Sequence, residues 1–394
     1  MNFKGIAFLS WAYLAYRPLK TVVLVMAVAL TIFLPFALQV FIGESTRILR
    51  DRARATPLVV GPKGSSIDLT LNTLYFTPQA LPPLGYAAYS RLRESVDGSV
   101  IPMHVRFRAG GAPIVGSSLS YFHHRGLETN AGRMMTRLGD CVLGASVAKE
   151  RGLKPGDTIV STPENVFDLA GVYPLRMRIT GVLEPSHTPD DEAVFVDLKT
   201  AWIIEGLAHG HEDLSKPDAA DAVLERDEGV IRGNASVREF NEVTDTNIGS
   251  FHFHGDTATF PISAVIVLPA DEKARTMTLG DYHSEEAGEQ IVIPLEAVTQ
   301  LTDTLFATRR MVLVAFVLLG ATALALAALV FILSFRLRDR EMTTYHKIGA
   351  THATIRLLKS AEVGVIAIAG VLAAVGAVAA TRALAAEILP KLLG

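Results

Sequence analysis

The sequence contains very little cysteine, and this limits its chemistry. Cys141 is the single cysteine among 394 residues. One thiol excludes an intramolecular disulfide and any metal site built from several cysteines. The net charge is also small, −3 at pH 7 with histidine neutral. The chain therefore lacks the strongly basic balance of a nucleic-acid-binding protein, and we expect no nucleic-acid partner.

Motifs of several common enzyme classes are missing as well. No G-x-x-x-x-G-K-[ST] string occurs. The segment Gly61-Pro62-Lys63-Gly64-Ser65-Ser66 lacks both the spacing and the following helix that a phosphate-binding loop needs, so we interpret it as a turn. G-x-S-x-G and H-E-x-x-H strings are absent too. We therefore predict that the chain is not an enzyme and has no catalytic residues.

Three long stretches lack ionisable side chains altogether: residues 21–42, 311–335 and 363–381. A bilayer core about 30 Å thick needs about 20 apolar residues in a helix. Buried helices of soluble proteins seldom continue uncharged for this long. The first stretch is also too long for a signal peptide core, and no small-x-small cleavage site follows it. We therefore predict spans at 21–42, 309–335 and 363–388.

Residues 43–308, between the first two spans, have the pattern of a mixed α/β domain. Short β-rich runs alternate with Gly and Pro, and helical patterns are fewer. The region near 208–234 changes to acidic residues, Ala and Gly, which indicates an inserted lobe. The predicted fold class is thus an α+β membrane protein with a large extracytoplasmic domain between its first and second spans. The remaining predicted segments are a cytoplasmic interfacial helix at 1–20, a loop at 336–362 and a C-terminal tail at 389–394.

The basic residues of the 336–362 loop determine the expected orientation. Lys and Arg in short loops mark the cytoplasmic side, whereas long domains cross the membrane regardless of charge. The N-terminus is therefore expected inside and the large domain outside. Four arginines just beyond the first span weaken the rule there. The basic residues of the loop are Arg336, Arg338, Arg340, Lys347, Arg356 and Lys359.

Two stretches of the middle domain resemble a known family. RGLETNAGRMMTRLGDCVLGASVAKERGLKPGDTIV begins at Arg125, and MRITGVLEPSHTPDDEAVFVDLKTAW begins at Met177. Both look like the periplasmic core domain of MacB-type ABC transporter permeases. The residue pattern of the first stretch predicts a helix that begins after Gly144 and ends at Gly152. Pro155-Gly156-Asp157 then predicts a turn that leads into a strand.

The 336–362 loop carries a second resemblance. RLRDREMTTYHKIGATHATIRLLKSAE is similar to the FtsX-type permease pattern, in which a basic helix, an I-G-A turn and an amphipathic helix follow one another. Gly349 is a stop signal and Thr351 a reasonable N-cap. The family normally has four spans, whereas three are found here, so either this is a three-span branch or the natural chain continues further.

The resemblance implies a function and partners. Permeases of this type work as dimers in the bacterial inner membrane and are driven by a separate cytoplasmic ATPase dimer, which binds ATP and Mg²⁺. A second copy of the chain, membrane lipid and a periplasmic adaptor or substrate protein are further expected partners. The loop would couple to the ATPase; a basic loop that anchors to anionic lipid is the alternative. The coupling candidates are Arg340, Glu341, Tyr345, Ile348 and Gly349.

Small residues suggest where the third span packs. Gly364, Gly370 and Gly376 lie among alanines, and such composition permits close approach between membrane helices. We predict that the third span packs at these glycines against the first or second span, in its own or the partner subunit. Lys359 and Glu362 lie at the inner boundary, where we expect them to extend toward the headgroups.

Histidines are the candidate metal ligands of the outer domain. Nine of the eleven precede the second span, and two H-x-H pairs occur, His209/His211 and His252/His254. Alternate side chains of a strand point to one face, so each pair could reach a single metal ion, zinc or another divalent metal. Asp213 and Asp256 could add oxygen ligands. Solvated histidines are the alternative.

Three functions follow. The first is a permease that couples ATP hydrolysis elsewhere to periplasmic conformational work on a hydrophobic or amphipathic substrate such as a lipoprotein, lipid, peptide or drug. The second is a zinc-linked transporter subunit. The third is a mechanical signalling subunit that activates a periplasmic partner.

Overall fold

The protein is described from a computed structural model, which divides into two compact units. One unit comprises Met1–Ile48 and Thr302–Leu389, and the other is centred on Leu49–Leu301. The residues described are 3–79, 81–162, 174–211, 223–227, 230–233, 240–282 and 288–393.

The first unit is helical. Three of its helices are long and apolar enough to cross a membrane. The break between the first two helices falls at Arg17, because Pro18 has no N–H to donate and fits the first helical position of the next helix. The helices are α1 (Phe3–Tyr16), α2 (Pro18–Arg54), α9 (Pro294–Leu337), α10 (Asp339–Lys347) and α11 (His352–Leu393).

The long helices of this unit have mostly exposed apolar surfaces. In their most apolar stretches only 6 to 17% of the residues are buried. Apolar surface of this extent needs cover, which lipid provides for a helix that is apolar all round. Helices buried inside a soluble protein would show the reverse. The prediction of a membrane protein with three apolar helices is confirmed.

The second unit is built on a ten-stranded sheet. Its order is β16-β1-β15-β3-β4-β9-β6-β8-β5, and β7 pairs with β3 and β8. Neighbours are antiparallel except for the pairs β4/β9 and β6/β8. The strands of this sheet are β1 (Leu58–Pro62), β3 (Gly98–Ala109), β4 (Ala112–Ser117), β5 (Thr129–Gly132), β6 (Asp140–Leu143), β7 (Thr158–Thr162), β8 (Arg176–Leu183), β9 (Val194–Asp197), β15 (Ala264–Pro269) and β16 (Glu289–Val292).

Among the described residues, three two-stranded sheets and six α-helices complete this unit. The small sheets pair β2 (Leu84–Gly85) with β14 (Pro261–Ile262), β10 (Ala208–Gly210) with β13 (Phe251–Phe253), and β11 (Val223–Asp227) with β12 (Val230–Gly233). The helices are α3 (Ser66–Tyr75), α4 (Tyr86–Ser95), α5 (Leu119–Arg125), α6 (Ala145–Arg151), α7 (Leu198–Ile204) and α8 (Glu272–Asp281). The mixed α/β fold class predicted for this domain is confirmed.

Two glycines explain the chain path at the first family-like stretch. A Cβ on Gly144 would lie 2.3 Å from the carbonyl oxygen of Asp190, so only glycine lets β6 pass this backbone into α6. Gly152 then ends α6 with a φ of +65°, a conformation that glycine adopts without strain.

The structure of Gly61–Ser66 differs from the prediction of a turn that no helix follows. Gly61 and Pro62 complete β1, and a helix does follow, because the Ser65 hydroxyl accepts a hydrogen bond from the Asp68 N–H and caps α3. Ser, Asp and Asn at an N-cap promote such helices even where the apolar pattern is short. The spacing of a phosphate-binding loop is still missing.

Candidate functional site

The coupling residues predicted from the sequence lie on and just after the short helix α10. This helix is held by one buried side chain, Met342, which packs with Ile6 of α1 and Leu358 of α11. At about 100° per residue, Arg340, Glu341 and Ile348 fall within one arc of roughly 100°. All three are exposed, and Ile348 is 76% exposed. The structure thus brings these residues to one accessible face.

Tyr345 and Gly349 have different surroundings. Tyr345 is half-buried and lines a cavity of about 320 Å³ with Leu9 of α1 and Leu358 of α11. Gly349 has a φ of +100° and ends the turn between α10 and α11. The Thr351 hydroxyl accepts a hydrogen bond from the Thr354 N–H at 3.2 Å, which caps α11. The turn is therefore fixed at both ends.

An ion pair that sequence reasoning missed holds this region together. Arg338 donates to both carboxylate oxygens of Glu362 at 2.8 and 3.0 Å, and to Glu341 at 2.9 Å. The Tyr13 ring centroid lies 3.5 Å from the Arg338 guanidinium carbon. Glu362 is only 2% exposed. The expectation that Glu362 extends toward the headgroups is therefore wrong, because its charge is compensated inside the helical unit.

The three glycines of the third span have different surroundings. A Cβ on Gly370 would lie 2.6 Å from Val28 of α2, so these two helices approach closely there. At Gly364 and Gly376, no atom of the described residues beyond the adjoining helix backbone would lie within 4 Å of a Cβ. A spacing of six residues turns a helix by about 240°, which places the three glycines on different sides. A packing role for Gly364 and Gly376 stays a prediction.

The four histidines come together in the second unit. The register of β10 and β13 places His209 opposite His252, and the His254 N–H donates to Leu207 O at 3.0 Å. The ring centroid of His209 lies 5.0 Å from that of His252, 4.7 Å from that of His254 and 5.9 Å from that of His211. One ring nitrogen from each of His209, His252 and His254 lies within 4.8 Å of the others.

The opposite face of this small sheet is packed against the core of its unit. The Phe253 ring lies 6.4 Å from Trp202 of α7 and 6.0 Å from Phe260. A Cβ on Gly210 would lie 2.6 Å from the Phe251 ring. Since side chains alternate along a strand, this packing directs the four imidazoles to the other face.

The two aspartates named with the histidines contribute differently. The Asp256 carboxylate accepts a hydrogen bond from the Ala258 N–H at 3.0 Å and caps the short 3₁₀ turn at Thr257–Thr259. It does not belong to the group of converging ligand atoms among the described residues. Asp213 lies outside the described residues.

The sequence matches the family model of the MacB-like periplasmic core domain over residues 21–230, more than half of the chain. The chain therefore belongs to the MacB/FtsX-type ABC transporter permeases, as the two family-like stretches predicted. This class has an extracytoplasmic domain attached to apolar membrane helices and works with an ABC ATPase; its permease subunits are generally non-catalytic.

Similar solved structures include two extracytoplasmic domains. One is the periplasmic region of MacB from Actinobacillus actinomycetemcomitans, with 15% identity and a TM-score of 0.33 over 65% of this chain and 98% of that one. The other is the extracellular domain of the ABC-type transporter YknZ from Gram-positive bacteria, with 11% identity and a TM-score of 0.33 over 60% of this chain and 98% of that one. No curated protein matches the sequence.

Proposed function

We propose that this chain is a multi-pass permease subunit of the inner membrane that couples ATP hydrolysis by a cytoplasmic ATPase dimer to conformational work outside the membrane. Its substrate is hydrophobic or amphipathic, such as a lipoprotein, lipid, peptide or drug. The N-terminus is cytoplasmic and the large domain periplasmic, and two copies of the chain form the working unit. Family membership supports the class of function, and the exposed face of α10 supports the coupling.

The exposed face of α10 carries the proposal. Arg340, Glu341 and Ile348 combine two charges and one large apolar side chain on the same accessible surface. A short helix with this composition can bind in a groove of a partner through an apolar anchor with charged neighbours. A loop that only anchored to anionic lipid would not need Ile348 exposed next to an acidic Glu341.

The charges of the helical unit favour conformational work outside the membrane over a channel for polar solutes. The buried ion pair Arg338–Glu362 is already compensated, since both carboxylate oxygens accept hydrogen bonds from the guanidinium. A polar solute that crosses the bilayer needs groups to replace its hydration water. An amphipathic substrate handled at the outer surface needs none.

The first prediction concerns attachment of the ATPase. The full-length protein is purified together with the ABC ATPase that co-purifies from the membrane, and the yield and ATPase rate are measured. Loss of an interface anchor costs about 1.4 kcal/mol or more, a tenfold weaker complex. We therefore expect Arg340→Ala/Ile348→Ala to bind the ATPase at least about tenfold more weakly.

Thr343→Ala is the matched control, because Thr343 is exposed on the same helix but outside the arc of Arg340 and Ile348. It should bind like the unchanged protein. Equal ATPase recovery and rate in the double variant would remove α10 as the coupling element. In the unchanged complex, stimulation of the ATPase by a lipoprotein supports transport, stimulation by zinc a metal-linked transporter, and stimulation by a periplasmic hydrolase a signalling subunit.

A further inference from the structure

We propose that His209, His252 and His254 bind one zinc ion, with His211 beside the site. The proposal rests on the geometry of β10 and β13 and does not depend on the transport function. The two strands are separated by about 40 residues in the chain, so the site forms only when the fold pairs them.

The spacing of the ring nitrogens suits a metal centre. Ligand atoms around a tetrahedral zinc lie about 3.4 Å apart, because each Zn–N bond is about 2.1 Å long. The nitrogens of His209, His252 and His254 already lie within 4.8 Å of one another. His252 and His254 are exposed, so small rotations about their side-chain bonds can close the difference.

A hydrogen bond of the His252 ring favours a ligand role. Its Nδ1 lies 2.9 Å from the carbonyl oxygen of Ser250. A carbonyl oxygen can only accept a hydrogen bond, so Nδ1 must carry the hydrogen. Nε2 is then the ring nitrogen left to bind a metal. Zinc-bound histidines are commonly oriented by such a bond from the second ring nitrogen to a backbone carbonyl.

The donor set selects the kind of metal. The converging group consists of histidines alone, and the Asp256 carboxylate is engaged as a helix cap. Magnesium and calcium prefer oxygen ligands, whereas imidazole suits zinc. His211 is a further donor beside this group, with its ring centroid 5.2 Å from that of His252. A fourth ligand can therefore come from His211 or from water.

A backbone argument supports a dedicated site over a set of solvated side chains. Gly210 separates His209 from His211 and leaves room for the Phe251 ring beneath the sheet. Phe251 and Phe253 pack against the core on the inner side, which holds all four imidazoles on the outer side. Ligands that are already oriented lose less entropy when the metal binds.

The test uses the full-length protein in detergent, titrated with Zn²⁺ by calorimetry and checked by competition with a chromophoric chelator. We expect one zinc ion per chain. His252→Gln/His254→Gln should bind at least about 100-fold more weakly, since loss of an outer-shell partner alone costs about 10–100-fold. Both side chains are exposed, so the variant should fold normally, which circular dichroism verifies.

The matched control is His123→Gln/His187→Gln, which replaces two other exposed histidines of the same unit. It should bind zinc like the unchanged protein. Equal zinc binding in the His252/His254 variant and in this control would overturn the site, as would Mg²⁺ competing with zinc at equal concentration. His209→Gln should weaken binding more than His211→Gln, and the reverse order would overturn the three-ligand assignment.

Discussion

At the scale of single residues, Arg52 shows that neighbouring arginines can have different roles when one of them is buried. It belongs to a group of four arginines after the first span, and its neighbour Arg54 is exposed. Arg52 is instead buried, donates to Asp190 at 2.6 Å and to the Tyr121 hydroxyl at 2.9 Å. Tyr121 in turn donates to Asp190 at 2.6 Å. Such a closed network compensates both charges.

The second prediction concerns Asp190. Burial alone would raise the pKa of this carboxyl, but the Arg52 charge and hydrogen bonds from Arg52, Tyr121 and Thr188 lower the pKa to about 2. Removing one partner of a buried pair costs about 3–5 kcal/mol. We expect Asp190→Asn to lower the free energy of unfolding by that amount at pH 7, measured by chemical denaturation of the full-length protein with Trp fluorescence.

The pH dependence of this loss follows from the sign of the pKa shift. A lowered pKa stabilises the fold above the unfolded value of about 3.9 and stops doing so as the pH falls through the folded value. The difference between the unchanged protein and Asp190→Asn should therefore shrink below pH 4, by about 2 kcal/mol at pH 2. Asp51→Asn, which breaks an exposed pair with Arg54, is the control and should cost less than about 1 kcal/mol. A constant difference down to pH 2 would contradict the assignment.

At the scale of elements, the third span α11 approaches α2 at one glycine. A Cβ on Gly370 would lie 2.6 Å from Val28 Cγ1 and 3.2 Å from the carbonyl oxygen of Val25. Gly320 of α9 also approaches α2, but less closely: a Cβ on Gly320 would lie 3.0 Å from Thr31. Close backbone approach at small residues is a principal source of helix association in membranes.

The third prediction tests this contact. Gly370→Leu forces a side chain into occupied space, and overpacking of this kind costs about 1–3 kcal/mol. We expect a lower thermal stability of the detergent-solubilised protein, read as loss of the monodisperse peak after heating. Gly364→Leu and Gly376→Leu are matched controls in the same helix, where the described part of the chain places no other helix near the added Cβ. They should lower the stability less than Gly370→Leu does, because the described residues of this chain leave space at both positions. An equal loss in all three would exclude a specific contact at Gly370.

The same elements show what the sequence could predict and what it could not. Uncharged length predicted the apolar helices, since a run such as 311–335 has few other uses. Periodicity placed His252 and His254 on one face of a strand, but it could not show that β13 pairs with the distant β10. Burial of Arg52 and Glu362 was equally hidden, because their partners Asp190 and Arg338 are brought to them only by tertiary packing.

At the scale of the whole molecule, orientation in the membrane connects the two proposed sites to their partners. The zinc ligands His252 and His254 belong to the unit proposed to lie outside, and Ile348 belongs to the loop proposed to lie inside. A charge rule based on the 336–362 loop predicts this arrangement. The lone cysteine makes the prediction directly testable. Burial, followed by the nearby Asp140 charge, raises the pKa of the Cys141 thiol, and its side chain is fully buried.

The fourth prediction depends on Cys141 being unreactive, so that only an introduced cysteine is labelled. Reactivity with maleimide requires an accessible thiolate, so the unchanged protein should remain unlabelled. Met277→Cys in α8 and Ile348→Cys after α10 introduce thiols at side chains that are 62% and 76% exposed. In intact cells whose outer layers admit an impermeant maleimide, Met277→Cys should label at once, whereas Ile348→Cys should label only after the inner membrane is opened. Labelling of Ile348→Cys in intact cells would place the loop outside. The proposed attachment of a cytoplasmic ATPase to α10 would then be impossible, whereas the zinc site, which depends on β10 and β13 alone, would stand.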